Sequence, residues 1–147
     1  AGPPDQSLLL AAGVRVAPFI CYEIVYPGLV ARSARNADLL VTISNDSWFG
    51  ASIGPLQHLQ MARMRALETG RYLLRGTNNG VSAIIDHQGR IQQRSPQFEE
   101  ALLSGEAHVM LGSTPAATYG PRPVLAACVL LLLMMLVVYH TLWRERD

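Results

Sequence analysis

Residues 14–46 read VRVAPFICYEIVYPGLVARSARNADLLVTISND, and this stretch decides the fold. Val14–Ile20 is short, apolar and rich in β-branched residues, the pattern of a buried strand. Pro18 inside it has no backbone donor, which points to an edge position or a bulge. Cys21 follows at the strand's C-terminal end, and Pro27 opens a helix running to about residue 36. Residues 39–44, LLVTIS, predict a second buried strand.

Downstream, 45–54 is a loop by composition. Residues 55–69 predict a helix, with Pro55 at its start and Gly70 just past its end. Leu56, Leu59, Ala62, Ala66 and Leu67 fall on one side of it at helical spacing. Residues 72–77 predict a third strand, followed by the tight turn Asn78-Asn79-Gly80. Residues 81–86 and 90–93 flank His87-Gln88-Gly89 as a hairpin. Residues 98–111 predict a further strand pair, and 1–13 and 112–123 read as Pro/Gly-punctuated loop and linker. Strand–helix–strand–helix–strand followed by hairpins indicates an α/β layer structure, whose post-strand connections carry the chemistry.

Apolar residues make up 50% of the chain, and the excess is local. Residues 124–139, VLAACVLLLLMMLVVY, hold no charge; with their flanks, 123–143 reach the roughly 20 residues a membrane helix needs. A net charge of +1, no basic block and no aromatic–basic interleaving argue against a nucleic-acid partner. The two cysteines, Cys21 and Cys128, lie in a soluble strand and the apolar tail, so Cys21 is expected as a free thiol. The N-terminus lacks the basic start and long apolar run of a signal peptide, and reads as a loop of a chain truncated upstream.

Three groups of residues are candidates for chemistry. Cys21, on the turn between a buried strand and a helix, is presented like the nucleophile of an elbow, with a following backbone N–H placed for an oxyanion. The local pattern alone fits a buried core cysteine better, since free cysteine is among the most buried residue types. Glu23 is either a solvated carboxylate or a group that holds a cation or shapes the pocket. In Asn45-Asp46-Ser47-Trp48-Phe49-Gly50, the two aromatics either wall a ligand pocket or plug the core. On the second helix, Arg63 sits close to the apolar stripe, where it snorkels or pairs with a buried carboxylate. Glu68 reaches Arg65 one turn back, as a surface ion pair would. His58, His87, His108 and His140 match no metal spacing, and no metal or cofactor is expected.

Taken together, FICYEIVYPGLV (19–30), LLVTISNDSWFGASIGPLQHLQMARMRALETGRYLLRGTNNGVSAIIDHQGRI (39–91) and the apolar tail resemble the bacterial apolipoprotein N-acyltransferases. That family belongs to the nitrilase, or carbon–nitrogen hydrolase, superfamily. The resemblance runs from about Val14 to the C-terminus. It implies part of a nitrilase-like αββα sandwich over 14–111, a linker over 112–122, one transmembrane helix over 123–143 and a cytoplasmic tail over 144–147. It implies Cys21 as nucleophile of a Glu–Lys–Cys triad and Tyr22, Glu23 and Glu68 as supporting residues. Trp48 and Phe49 match aromatics of the active-site loop. The family's Glu and Lys belong to segments before the cysteine, and all twelve basic residues here are arginines. The family's other membrane helices are also missing, so the fragment alone is expected to be inactive.

The implied reaction is ping-pong acyl transfer without a cofactor. The thiol, with a reference pKa of about 8.5, needs a base. Cys21 takes an acyl chain from a phospholipid, phosphatidylethanolamine, as a thioester. The acceptor is the α-amino group of the diacylglyceryl-modified N-terminal cysteine of an apolipoprotein. Arg144 and Arg146 after the tail helix, against Arg122 before it, favour a cytoplasmic C-terminus in the bacterial inner membrane, with the catalytic domain on the outer, periplasmic face. Two rival readings stand beside this: a membrane-tethered amidase of the same superfamily using water as acceptor, and a non-catalytic membrane-anchored remnant.

Overall fold

A computed structural model describes residues 6–144. Six strands form one mixed sheet in sequential order: β1 (Leu9–Ala11), β2 (Val14–Ile20), β3 (Leu39–Asn45), β4 (Leu73–Asn78), β5 (Ala83–Ile85) and β6 (Ile91–Arg94). β2, β3 and β4 are parallel neighbours; β1, β5 and β6 add antiparallel. The crossovers are α1 (Pro27–Ala34) and α2 (Gly54–Thr69). Right-handed crossovers between sequential parallel strands put both helices on one face of the sheet. The core lies between them: Phe19, Ile24, Val30, Leu40, Leu59, Leu73 and Ile85 are all buried. Each such side chain contributes about 1.5–3 kcal/mol by leaving water. The α/β architecture expected from the sequence is the one observed, as one helical layer on one sheet.

The opposite face of the sheet is apolar and open in part. Ile20 and Ile43, register partners on β2 and β3, are 60% and 58% exposed. Residues 98–111, expected as a strand pair, form no strand. Gly105 lies over this face, close enough to Ile84 and Gln93 that an added Cβ would sit 2.8 Å from Ile84 Cδ1. Leu102 and Leu111 in this segment are 93% and 88% exposed.

Three local expectations change. Within 1–13, where residues 1–5 lie outside the described part, Leu9–Ala11 pairs with Val14–Val16 as a hairpin. Its two-residue turn has Ala12 at φ 50 and Gly13 at φ 81, the positive values a tight hairpin demands. Pro18 lies in a strand flanked on both sides in the sheet order, not at the sheet edge. β1 ends opposite Val16, so at Pro18 only β3 pairs with β2, and the missing N–H costs no ladder bond on the open side. On α2, Leu56 and Leu67 are 42% and 47% exposed. The buried side carries Pro55, His58, Leu59, Ala62, Arg65, Ala66 and Thr69, because polar residues with internal partners occupy part of the inward face.

The expected linker contains α3 (Pro115–Tyr119), whose Thr114 cap accepts from Ala117 N at 3.1 Å. The buried Arg71 ties this region down, donating to Ala37 O at 2.8 Å and Gly112 O at 2.5 Å. Burial lowers the Arg71 pKa from its ordinary value, against the nearby Asp38 charge. α4 (Arg122–Arg144) follows, about 34 Å long at 1.5 Å per residue. No residue of 122–140 is buried within the molecule, and the helix is long and apolar enough to cross a bilayer. Residues 145–147, including Arg146 of the orientation argument, lie outside the described part.

Candidate active site

β2 ends at Ile20, and the chain turns at Cys21 with φ 52 before a short 3₁₀ turn, Cys21–Val25. A non-glycine residue in the left-handed region costs on the order of 1–2 kcal/mol and persists only where its surroundings enforce it. Glu23 enforces it here: its Oε2 accepts from Ile20 N at 2.8 Å, bridging the residues on either side of Cys21. The result is the sharp strand-to-helix elbow anticipated from the sequence. The thiol is free and half-buried. The first N–H groups of a helical turn have no partner inside it, which leaves donors beside the sulfur where negative charge would develop.

Beneath Cys21 lies a buried polar network contributed by four elements. β3 runs parallel to β2 with Ile20 opposite Ile43, so the next residue, Ser44, falls beside Cys21. Ser44 Oγ lies 3.6 Å from Cys21 Sγ and 2.6 Å from Asp46 Oδ1. The Asp46 carboxylate, wholly buried, also accepts from His58 Nδ1 at 3.1 Å and from Arg75 Nη2 at 2.7 Å. Arg75 donates Nε to Val81 O at 3.3 Å. Burial lowers the Arg75 pKa from its ordinary value, with the Asp46 charge opposing. Burial, then the Arg75 charge, pushes the His58 pKa down; Asp46 and the Cys21 main chain push back. Neutral His58 thus carries its proton on Nδ1, directed at Asp46. Gly80 completes the wall, packed so tightly on the Asp46 side chain that a Cβ there would overlap it.

The expected site residues divide into two groups. Tyr22 and Phe49 gather around His58, with ring centroids 6.0 and 6.5 Å from the imidazole, and Tyr22 also meets Tyr26 edge-on at 6.0 Å. Glu23 holds a backbone amide and no cation. Trp48 is 89% exposed. Glu68 is not beside Cys21. It lies ten residues along α2 from His58, about 15 Å at 1.5 Å per residue. It pairs with Arg65 at 2.8 Å, and Arg65 donates to Val25 O at 3.3 Å, so Glu68 braces the far end of the cysteine turn. Among the described residues Arg63 pairs with no carboxylate; it donates to Gly89 O and Gln60 Oε1, both at 2.8 Å. A cavity of about 630 Å³ lies elsewhere, between α1, α3 and the head of α4, and Cys21 does not line it.

The sequence assigns no role to Ser44, Asp46, His58 or Arg75, although Asp46 lies in the candidate loop 45–50. One signal was available: Arg75 follows the apolar run Tyr72-Leu73-Leu74 within a strand, where a buried charge requires a partner.

Residues 4–115 match the carbon–nitrogen hydrolase family, and the chain belongs to that family. Over 131 residues it is 60% identical to an apolipoprotein N-acyltransferase of Azotobacter vinelandii, covering 89% of this chain and 25% of that protein. It is 57% identical to the apolipoprotein N-acyltransferase of Pseudomonas putida, covering 89% and 26%. The chain thus spans about a quarter of the relatives it matches. Among solved structures it resembles Nit3 of Saccharomyces cerevisiae, of the nitrilase superfamily, at 25% identity and TM-score 0.55, covering 67% of this chain and 40% of that one. A carbon–nitrogen hydrolase of Helicobacter pylori shares the fold at 15% identity and TM-score 0.58, covering 67% and 43%.

Proposed function

We propose that the chain is the nucleophile-bearing part of an apolipoprotein N-acyltransferase, with Cys21 as the residue that carries the acyl group. The observation that carries this reading is the Cys21 elbow: a free, half-buried thiol at φ 52, in a chain whose relatives bear that name. Cys21 Sγ attacks the carbonyl carbon of a phospholipid acyl ester while a base takes its proton. The tetrahedral oxyanion is met by the open N–H groups of the following turn, that of Tyr22 first. Its collapse breaks the ester C–O bond, and the departing lysophospholipid alkoxide takes a proton. A thioester remains. The α-amino group of a diacylglyceryl-cysteine then attacks it, the C–S bond breaks, the amine loses a proton and the thiol is restored.

Tyr22 and Phe49 shape the pocket around His58, Glu23 fixes the elbow, and Trp48, standing out from the loop, meets lipid. Glu68 acts through Arg65. The general base and the family's lysine are assigned to no residue here. α4 anchors the domain at the outer face of the bacterial inner membrane, where both lipid substrates lie, with its C-terminus cytoplasmic.

The experiment is acylation of a synthetic diacylglyceryl-cysteine peptide in phospholipid vesicles by the full-length gene product. N-acylation that is lost in Cys21→Ser is the expected result. Hydrolysis of small amides with no N-acyl peptide would establish the amidase instead. Undiminished N-acylation by Cys21→Ser would end the assignment of the nucleophile.

A further inference from the structure

Ser44 has one hydroxyl proton and two neighbours that call for it. Asp46 Oδ1 lies at 2.6 Å and Cys21 Sγ at 3.6 Å. A carboxylate at that distance is the stronger acceptor, so the proton rests on the Asp46 side. The Ser44 oxygen then presents a lone pair to the sulfur, which suits a neutral S–H donating to it. It does not suit a thiolate, which needs a donor.

We propose that Ser44 is a positioning residue for the Cys21 sulfur, its hydroxyl donating to Asp46 beside the neutral thiol and rotating to donate to the thiolate. This deepens the reading of Cys21 as nucleophile and rests on it. No atom is gained or lost in the rotation. The sulfur's proton leaves to a carboxylate base in the reaction, or to buffer in the assay below. The Ser44 proton only changes acceptor.

The surroundings allow the exchange. Asp46 keeps His58 Nδ1 at 3.1 Å and Arg75 Nη2 at 2.7 Å when Ser44 turns away, so its charge remains compensated. The cysteine turn and the network beneath it carry these charged or titratable groups, with Tyr22 beside Cys21 and packed on His58. Glu23, from the cysteine's own turn, is directed at Ile20 N; Asp46 follows β3; His58 comes from α2 and Arg75 from β4. Arg75 also has a buried Nη1 with no partner among the described residues. Beside them, the Ser44 hydroxyl is the side-chain donor that lies within hydrogen-bond distance of Sγ.

The test is the pH profile of iodoacetamide alkylation of Cys21 in the detergent-solubilised full-length protein, quantified on the Cys21 peptide by mass spectrometry. In Ser44→Ala the rate at neutral pH falls about tenfold and the profile moves up by about one pH unit, the loss of one hydrogen bond to an anion. The limiting rate at high pH is unchanged. Ser44→Thr keeps the wild-type profile, and Ser44→Val, of the same shape without the hydroxyl, behaves as Ser44→Ala. This pair decides the matter should the alanine variant not fold. Superimposed profiles, a threonine variant displaced as far as the valine one, or a rate lowered equally at every pH would overturn the proposal. Alkylation needs no acyl chemistry, so these outcomes are independent of acyl transfer. A wild-type protein that shows the Ser44 shift but never acylates a peptide refutes the acyltransferase reading alone.

Discussion

Asp46 and Arg75 form an ion pair whose side chains are both 0% exposed. Asp46→Ala removes the acceptor of three hydrogen bonds, from Ser44, His58 and Arg75, and leaves a guanidinium buried without a counter-charge. Breaking one side of a buried pair costs about 3–5 kcal/mol, a large share of the ~5–15 kcal/mol that holds a domain folded. For a domain of ~150–250 residues that lowers Tm by at least about 6 °C. Arg75→Met costs a similar amount, because it strands the carboxylate. The double variant removes both charges together, and such replacements are often close to neutral. With single losses of about 3–5 kcal/mol each, the double variant is expected to lose clearly less than their sum of about 6–10 kcal/mol. The assay is thermal unfolding of the full-length protein in detergent, read on all four members of the cycle. Single variants within about 2 °C of wild type, or strictly additive losses, would refute the view that this pair holds the floor of the site.

Other predictions follow from single positions. Cys21→Gly is expected to be about 1 kcal/mol more stable than Cys21→Ala, because glycine adopts a positive φ without a Cβ penalty; equal thermal stabilities would deny strain at the elbow. Gly80→Ala forces its Cβ against the Asp46 side chain, with Asp46 Cβ at 2.9 Å, and should cost about 1–3 kcal/mol and slow Cys21 alkylation. Asp38, held by hydrogen bonds from the Arg15 side chain and backbone, has its pKa lowered from 3.8 to about 2. Its contribution is fully present above the unfolded carboxylate pKa and lost as pH falls from 3.8 towards 2. Asp38→Asn should flatten the unfolding curve in that window and leave its shape near neutrality unchanged.

The sheet's centre was legible because its residues obey one period each. Val14–Ile20 and residues 39–44 are apolar runs with no helical alternative, and 55–69 carries its own start and stop signals in Pro55 and Gly70. β1 was not legible, since its turn places Ala12, a residue with no turn preference, at φ 50. Residues 98–111 misled in the opposite sense: their apolar residues suggest strands, yet the segment forms none, and Gly105 packs over Ile84 on the sheet face instead. The elbow at Cys21 was readable from a strand ending before a proline-opened helix. The network beneath it was not, because Ser44, Asp46, His58 and Arg75 are up to 31 positions apart and satisfy one another only in the fold. The motif holding Glu68 did not indicate its contacts: it pairs with Arg65, which donates to Val25 O.

The measurement that tests the central claim most directly is peptide mass spectrometry of the full-length protein, purified from its own membranes without reducing agents. A fatty-acyl adduct on the Cys21 peptide, removed by hydroxylamine and absent from Cys21→Ala, is the result this account predicts. A Cys21 peptide that stays unmodified after incubation with phospholipid vesicles, in a preparation that still N-acylates a diacylglyceryl-cysteine peptide, would contradict it.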